Sequence, residues 1–476
     1  MSPTPMPHST FSSACRARLV GGALLLAVFL AAGLGCQSAP EGVQSHLDGR
    51  ITVPSRIDSS GDYSGFRVLV VQAQGRALDT LGQAVTGPDG RYAMTVTAPE
   101  RGLYPLTIWG RQGRQRLAST DYVVADGDSA TLDVELPLQR GRLRVRSPEN
   151  AALMAYQNTI AQHRRTLVRQ LRGEAVDSTA LNRSVRQTTS ILWSLRETFP
   201  GTYASQLGAT ESLSLLAGWN DSLVVERARA IEPANPRYVE AARVARRAQS
   251  RLRGQEAALD LLTDFETRAA TPTQRAGVQS IRVRAFIDSL QSDAALSTAQ
   301  TLKNEFPDTR WADWADRAMY EVNNLLPGLE APNLEARTLD GDSLSLRALR
   351  GRPVVLEYFR PGNTLYTRQV STRNALYRGT RADSVAFVSV SVDPDTLVHR
   401  AFTQNRAFPG HTVIAPGGLD GPLARAYNVA TVPTRVLIDA EGRIVGRYPG
   451  TAFLALQEEL ARLLQGEPTP ARGASR

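Results

Sequence analysis

Thiols and metal-ligating groups are the side chains most able to do chemistry, and this sequence has few of them. Only two residues of the 476 are cysteines, Cys15 and Cys36, and both lie in the first segment of the chain. A thiolate is the group that attacks a disulfide. Any domain that begins after Cys36 can therefore hold neither an internal disulfide nor a catalytic dithiol.

The histidines do not assemble into a convincing catalytic or metal-binding pattern. Asp393, Asp395 and His399 are close enough in sequence to suggest a metal cluster, but Asp-Pro-Asp ahead of a helix is typical of a loop with an N-cap. His411 is predicted in a loop before a strand, without the glycine-framed serine of a Ser/His/Asp triad. His163 stands beside two arginines on a predicted helix, which favours a solvated position. We predict no metal site and no cofactor.

Composition indicates a folded, multidomain protein without a nucleic-acid partner. Hydrophobic residues make up 42% and charged residues 21% of the chain, as in globular proteins. The length is that of about three domains. The net charge of +9 comes almost wholly from arginine, since Lys303 is the one lysine. The arginines are interspersed with acidic residues, and no basic block with aromatic residues occurs.

Residues 1–36 are predicted to be a signal peptide. Arg16 and Arg18 precede a short apolar stretch, Leu19 to Leu34, and small and polar residues follow. An apolar stretch of this kind fits an export signal better than a membrane span. We expect an exported protein, with residues 37–46 as a linker.

Cys36 follows Gly35, an arrangement that resembles the lipobox of bacterial lipoproteins, although Gly33 stands where leucine is usual. The resemblance implies diacylation of Cys36, and two acyl chains give stable attachment to a membrane. Gln37 in the next position favours the outer membrane. The expectation is a membrane-anchored lipoprotein facing the periplasm. An ordinary signal peptide or an uncleaved anchor is the alternative.

Residues 47–138 are predicted to form an all-β sandwich. Short runs such as "FRVLVVQAQ" and "GRYAMTVTA" alternate with turns such as "GPDG" and "DGDS", which is typical of antiparallel sheets. "AVTGPDGRYAMTV" resembles the turn-and-strand motif of carboxypeptidase-regulatory-like domains. No catalytic cluster accompanies it, so the resemblance implies a spacer or a binding module.

Residues 147–326 are predicted to be helical repeats. Apolar residues recur at three- and four-residue steps, and Pro200, Pro236, Pro272 and Pro307 recur about every 36 residues, close to a tetratricopeptide period. "LRETFPGTYASQL" and "LKNEFPDTRWADWA" are similar in sequence. Such repeats offer a concave face to peptides or proteins. Trp311 and Trp314 are interpreted as packing residues, with a place on that face as the alternative.

Residues 327–466 alternate strands and helices, which predicts a mixed sheet flanked by helices; residues 467–476 are predicted to be a disordered tail. "LDGDSLSLRALRGRPVVLEYFRP", "VSVSVDPDTLVHRAF" and "YNVATVPTRVLIDAEGRIVGRYPG" resemble three motifs of the thioredoxin-like superfamily, in its TlpA and AhpC/TSA branches. The resemblance implies an α/β thioredoxin-like fold in which Val432-Pro433 is the cis-proline pair facing the active site.

The same resemblance implies thiol chemistry that this chain cannot perform with its own residues. The register puts Asn363 and Tyr366 where the two cysteines of the C-x-x-C motif would be, and the peroxiredoxin branch would also need a missing cysteine. What remains is a predicted peptide groove formed by Arg360, Asn363, Tyr366, Arg368, Thr431, Val432 and Pro433. The cis-proline loop of such proteins pairs with extended peptides, a binding mode that needs no thiol. A purely structural domain is the alternative.

These observations predict a non-catalytic binding or scaffold protein of the cell envelope, whose partner is a protein or peptide. The first alternative is a thiol-disulfide oxidoreductase or a peroxiredoxin-like antioxidant protein, as the family resemblance implies. The second is an assembly adaptor in which the helical repeats do the binding.

Overall fold

The computed structural model describes most of the chain in one compact unit, Val43–Arg476, which is distinguished from Met1–Gly42. The described residues are 42–74, 77–138, 143–171, 177–380, 384–404 and 408–466. The predicted signal peptide, Cys36, the first part of the predicted linker and the predicted tail lie outside these residues. Among the described helices, none has the length and apolar character needed to cross a bilayer.

The described residues of the N-terminal domain form eight strands. They are β1 (Val43–Thr52), β2 (Arg67–Gln74), β3 (Ala77–Val85), β4 (Arg91–Ala98), β5 (Gly102–Trp109), β6 (Arg116–Val124), β7 (Asp128–Thr131) and β8 (Val134–Glu135). One sheet has the order β4-β1-β7, with β8 also paired to β1, and the other has the order β3-β2-β5-β6. Leu47, Val68 and Tyr122 belong to one hydrophobic core that both sheets share.

Three details of this domain differ from the sequence predictions. Strand β1 begins at Val43, inside the predicted linker 37–46, because Val43 to Arg50 pair with the whole of β4. The pairings of β1 with β7 and with β8 are parallel, so the domain is not purely antiparallel. Strands β3 and β6 had no prediction of their own. Most residues of β3 are exposed, which leaves no clear alternation of buried and exposed residues to detect.

Between residues 148 and 324, eight helices follow in the part of the chain that the structure describes. They are α1 (Pro148–Leu171), α2 (Ser178–Thr198), α3 (Tyr203–Leu216), α4 (Asp221–Arg229), α5 (Tyr238–Arg268), α6 (Pro272–Asp288), α7 (Ser292–Glu305) and α8 (Arg310–Asn324). Consecutive helices pack on one another. The buried faces are rich in small residues such as Ala241, Ala245 and Ala315, which let helices approach closely.

The two similar sequence segments form similar corners. Helix α2 ends at Phe199 with φ −131° and ψ 67°, and α7 ends at Phe306 with φ −129° and ψ 58°. A threonine, Thr202 or Thr309, then stands in extended conformation before the next helix. In both corners the threonine hydroxyl donates to the phenylalanine carbonyl three residues earlier. The sequence similarity therefore corresponds to a repeated turn.

His163 contradicts its predicted solvated position. Its side chain lies on α1 but is 5% exposed, and Nδ1 is 3.0 Å from the Thr188 hydroxyl on α2. Burial lowers the pKa of His163 below its ordinary value. The residue is part of the contact between the two helices, because the basic side chains beside it face solvent while the imidazole turns inward.

The C-terminal domain is built on a five-stranded mixed sheet. Its elements are β9 (Glu335–Arg337), β10 (Ser343–Ser345), β11 (Val354–Phe359), α9 (Thr364–Gly379), β12 (Ala386–Ser391), α10 (Thr396–Gln404), β13 (His411–Ile414), α11 (Pro422–Arg425), β14 (Thr434–Ile438), β15 (Ile444–Pro449) and α12 (Phe453–Leu464). The sheet order is β13-β12-β11-β14-β15. The pairs within β13-β12-β11 are parallel, and those within β11-β14-β15 are antiparallel.

Strand β11 is at the centre of this sheet and is buried along its whole length. Val354 and Leu356 face one core, and Val355 faces the other with Phe453 and Leu456 of α12. Because both faces are covered, the strand is a nearly continuous hydrophobic run. The predicted strand Val354 to Phe359 coincides with the observed one. His411, predicted in a loop, is instead the first residue of β13.

Candidate functional site

The two positions where a dithiol would lie begin helix α9, directly after the central strand. Asn363 is the N-cap of the helix, and its Oδ1 accepts a hydrogen bond of 2.9 Å from the Tyr366 backbone N–H. A helix N-terminus is where backbone dipoles favour a thiolate. Here an amide and a phenol occupy those positions, so the local geometry is present without the nucleophile.

Asn363 and the loop before β14 are in direct contact. The Asn363 Nδ2 donates to the Val432 carbonyl oxygen at 3.1 Å, and the Val432–Pro433 peptide bond is cis. The structure thus brings together two residues that are 69 positions apart in sequence. The Val432 carbonyl of the loop therefore already accepts a hydrogen bond from a side chain of the same protein.

Tyr366 cannot line a groove, which corrects the sequence prediction. Its side chain is completely buried, and its ring stacks on Phe359 with centroids 4.5 Å apart. Phe402 and Phe408 complete this aromatic cluster. Burial, together with the negative charge of Glu357, raises the pKa of the Tyr366 phenol far above its ordinary value. The phenol therefore stays neutral and acts as a core residue.

The other predicted groove residues are divided between surface and interior. Arg360, Arg368 and Thr431 are exposed, whereas Pro433 is buried under the loop. Thr434, the residue after the cis-proline, donates its hydroxyl to the Thr431 carbonyl at 2.7 Å and fixes the turn. The predicted groove is therefore only partly assembled, with Thr431 and Val432 as its accessible loop residues.

A buried charge cluster lies beneath this site, and the sequence predictions missed it. Glu357 on β11 is 0% exposed. Its carboxylate accepts from Arg373 Nε at 2.7 Å, from the Ser389 hydroxyl at 2.7 Å and from Arg435 Nε at 3.3 Å. Two features of the sequence could have indicated this cluster: a glutamate within the hydrophobic strand "VVLEYF" and an arginine within the hydrophobic strand "TRVLI".

The cluster keeps Glu357 ionised. Burial alone would raise the pKa of this carboxyl, but Arg373 and Arg435 outweigh that effect and hold the pKa below its ordinary value. Arg373 is also bonded to the Pro409 carbonyl and to Ser389. The Arg435 guanidinium lies over the Phe453 ring at 4.4 Å and the Tyr366 ring at 5.6 Å. Glu357 is thus an ion-pair residue at neutral pH and not a proton carrier.

Asp393, Asp395 and His399 do not form a metal cluster. The Asp395 carboxylate accepts from the backbone N–H groups of Leu397 and Val398 at the start of α10, as an N-cap does. His399 turns into the aromatic cluster, fully buried, with its ring 5.6 Å from that of Phe359. Within the described ranges, no group of three histidine, cysteine or acidic side chains is arranged to hold a metal ion.

The accessible side of the cis-proline loop faces helix α8. The Asn428 Nδ2 donates to the Arg317 carbonyl at 3.1 Å, and the Tyr320 hydroxyl donates to the Ala426 carbonyl at 3.0 Å. Between α8 and the loop is a cavity of about 420 Å³, which Trp314 and Thr431 help to line. Trp314 also packs on the core of the last helices, so it both packs and lines a cavity. The helical domain thus forms one wall of this space.

Comparison with known proteins gives a family match in the C-terminal part of the chain. The AhpC/TSA family matches residues 327–447. The thiol-disulfide oxidoreductase ResA of Halalkalibacterium halodurans is 26% identical over 156 residues, which are 32% of this chain and 83% of that protein. ResA of Bacillus thuringiensis is 24% identical over 123 residues, covering 26% and 69%.

Solved structures match a similar share of the chain. The thioredoxin domain of a thiol-disulfide oxidoreductase from Bacteroides vulgatus is 20% identical and covers 29% of this chain and 99% of its own, with a TM-score of 0.27. A thiol-disulfide oxidoreductase from Bacteroides fragilis is 22% identical, covers 28% and 98%, and has a TM-score of 0.26.

The AhpC/TSA match, residues 327–447, includes both Asn363 and the cis Val432–Pro433 pair. The C-terminal domain of this chain is therefore a thioredoxin-like domain, similar to those of thiol-disulfide oxidoreductases.

Proposed function

We propose that this chain is an exported, membrane-anchored binding protein whose thioredoxin-like domain holds its ligand without redox chemistry. The observation that carries the proposal is the state of the two dithiol positions. Asn363 is bonded to the Val432 carbonyl, and Tyr366 is buried. Neither an amide nor a phenol forms the mixed disulfide through which thiol-disulfide exchange proceeds.

The ligand site in this proposal is the cavity between α8 and the cis-proline loop. Its volume of about 420 Å³ is in the range of small-ligand pockets. Thr431 of the cis-proline loop lines the cavity and is exposed. Backbone groups at such a position can pair with an extended peptide. The occupant we propose is a short extended segment of a polypeptide.

Catalysis by thiol-disulfide exchange is the competing function, as the names of the sequence relatives suggest. It would need a thiol, and no residue after Cys36 is a cysteine. The role of assembly adaptor has one observation in its favour, the repeated corner at Phe199 and Phe306. That feature supports helical repeats without indicating where a partner would bind.

Redox assays of the chain from Gln37 onward test the non-catalytic part of the proposal. That chain retains the whole compact unit that begins at Val43. The rates of insulin reduction and of peroxide consumption should both equal those of a control without protein. The double substitution Asn363→Cys, Tyr366→Cys is the matched comparison, since it puts two thiols at the helix N-terminus and should introduce a disulfide that reductants open. Turnover by the unsubstituted chain would refute the proposal.

Lipid attachment at Cys36 is the second part of the proposal, with the periplasmic face of the outer membrane as the favoured location. It is supported by the lipobox-like sequence around Gly35 and Cys36. Labelling of cells with radioactive palmitate should mark the protein, and Cys36→Ala should abolish the label. Cys15→Ala is the matched control because it also removes one thiol from the same segment and should leave the label unchanged.

A further inference from the structure

The cavity beside the cis-proline loop has an unbalanced set of charges. Its charged lining consists of three arginines and one acidic residue, a formal excess of two positive charges: Arg284, Arg317, Arg447 and Glu321. Helices α6 and α8 supply Arg284 and Arg317, and strand β15 supplies Arg447. The cationic groups thus converge on the cavity from both domains.

The single carboxylate of the cavity is already shared. Glu321 Oε1 is 2.9 Å from Arg284 NH1 and 3.4 Å from Arg447 NH1. Arg284 has a second carboxylate, Asp288, with 3.0 Å between Nε and Oδ1. Arg447 therefore has only part of one counter-charge, and the exposed Arg317 guanidinium has no ion-pair partner among the described residues.

Hydrogen bonds hold Arg447 in place, but they do not use all of its guanidinium N–H groups. NH2 donates to the backbone carbonyls of Tyr427 and Asn428, which belong to the segment leading into the loop, at 3.0 and 3.2 Å. Nε is buried without a hydrogen-bond partner in the described part of the chain. The Arg447 side chain is 20% exposed, so an anion that enters the cavity can reach the accessible part of its guanidinium and form a charged hydrogen bond with it.

The neighbouring cavity shows that this excess is local. Its volume is about 820 Å³, and Arg284, Glu321 and Arg447 line it as well. There, however, four arginines face four carboxylates, because Arg246 and Arg462 are accompanied by Asp288, Glu458 and Glu459. The positive excess is thus on the side of the cis-proline loop and not distributed over the whole interdomain space.

We propose that the cavity between α8 and the cis-proline loop binds a carboxylate of an extended peptide, with Arg317 and Arg447 as the groups that recognise its charge. This inference rests on the peptide-binding function proposed above and adds the chemistry of the ligand. Trp314 provides an aromatic wall for the peptide next to the carboxylate. The carboxylate is either the chain terminus of the peptide or an acidic side chain.

Fluorescence anisotropy with three short synthetic peptides tests the inference on the chain from Gln37 onward. All carry the same uncharged dye at the N-terminus and the same neutral core sequence. One ends in a free carboxylate, one ends in an amide, and one contains a glutamate and ends in an amide. At least one carboxylate peptide should bind roughly tenfold or more tightly than the neutral amide, as a charged hydrogen bond to arginine implies.

Arg317→Glu should abolish this preference because it removes the formal excess of two positive charges. Arg310→Glu is the matched control, since Arg310 is also an exposed arginine of α8 but does not line the cavity. It should leave the preference intact. An equal loss in both variants would mean non-specific attraction to the positive chain and would overturn the inference.

The peptides also separate the inference from the function on which it rests. Equal binding of all three peptides would overturn carboxylate recognition and leave peptide binding standing. Absence of binding by any peptide up to about 1 mM would overturn both. Preference for the free terminus alone or for both carboxylate peptides supports the inference and identifies which carboxylate the cavity accepts.

Discussion

At the scale of single residues, the two positions predicted for a dithiol take part in hydrogen bonding and packing. Asn363 joins the helix start to the cis-proline loop, and Tyr366 fills the core behind it. The buried Glu357 is held by two arginines, so the interior of the domain contains a net positive charge from these three groups. Each of these contacts stabilises one geometry of the site.

Replacement of Glu357 by glutamine should lower the free energy of unfolding by about 3–5 kcal/mol, because Arg373 and Arg435 would remain buried without their counter-charge. Urea denaturation at neutral pH measures the change. Glu441→Gln is the control, since Glu441 is exposed and should change stability by less than about 0.5 kcal/mol. A loss below about 1 kcal/mol for Glu357→Gln would mean that the ion pairs contribute little.

The same substitution has a defined pH dependence. The pKa of Glu357 in the folded protein lies below the value of 4.5 that applies when the chain is unfolded. Its stabilising effect is therefore present above pH 4.5 and is lost as the pH falls through the lowered folded pKa. The difference in unfolding free energy between the wild type and Glu357→Gln should shrink in acid.

His399 has the opposite surroundings, an aromatic pocket in which neither ring nitrogen has a hydrogen-bond partner among the described residues. Burial lowers the pKa of His399 below 6.5, and the charge of Asp393 only partly offsets this. Below pH 6.5 the unfolded chain takes up a proton that the folded chain resists, so stability is lost as the pH falls.

His399→Leu should therefore reduce the loss of stability between about pH 7 and pH 5. At neutral pH it should be neutral or stabilising by about 1 kcal/mol, since two unpaired polar atoms are removed. Thermal unfolding across this pH range measures both effects. His411→Leu is the control because His411 is exposed. An unchanged pH profile for His399→Leu would show that the pKa of His399 is the same in the folded and the unfolded chain, and would contradict the effect of burial.

At the scale of elements, the helical region contains both a repeated corner and a break. Gly254 interrupts α5 with φ 84° and ψ −179°, a conformation that is essentially restricted to glycine. The two halves of α5 therefore point differently, and the second half packs against the buried face of α6 through Leu261 and Leu262. Replacement of Gly254 by alanine should therefore change stability in the opposite direction to the same replacement in a straight helix.

Gly254→Ala should destabilise the protein by about 1–3 kcal/mol through backbone strain. In a straight helix the same change would stabilise by about 0.5–1 kcal/mol, so the sign of the effect decides between the two conformations. Urea denaturation gives that sign. Ser250→Ala, one turn earlier on the same helix, should change stability by only a few tenths of a kcal/mol.

At the scale of the whole molecule, the helical domain and the thioredoxin-like domain are joined by polar contacts. Glu321 of α8 binds Arg447 of β15, and the carbonyls of Tyr427 and Asn428 bind the same arginine. The Asn428 side chain returns a hydrogen bond to α8. The position of the cavity, and hence the proposed ligand site, depends on this junction.

Glu321→Gln should weaken the junction by about 1–2 kcal/mol, since two arginines lose their shared carboxylate, one of them while partly exposed. Amide hydrogen exchange of the connecting segment around Leu325 should become faster. Glu330→Gln is the matched control because its pairing with Arg350 is exposed. Unchanged exchange near Leu325 would show that other contacts hold the domains.

The sequence by itself determined the main elements of the C-terminal domain and the absence of cysteine after Cys36. Strand Val354 to Phe359 was predictable because both of its faces are buried, which leaves a continuous hydrophobic run. The similarity of the corners at Phe199 and Phe306 was also predictable from the sequence, because the same turn conformation uses similar residues at matching positions. Strand β3 was not, because most of its residues are exposed.

Only the tertiary structure decided the partners of the polar side chains. The burial of Tyr366 and His163, and the meeting of Glu357 with Arg435 78 residues later, depend on how distant elements pack. The cavity next to Thr431 depends on α8, which belongs to another domain. Sequence periodicity reports which face of an element is buried, and it contains no information about which charged group from a distant element arrives there.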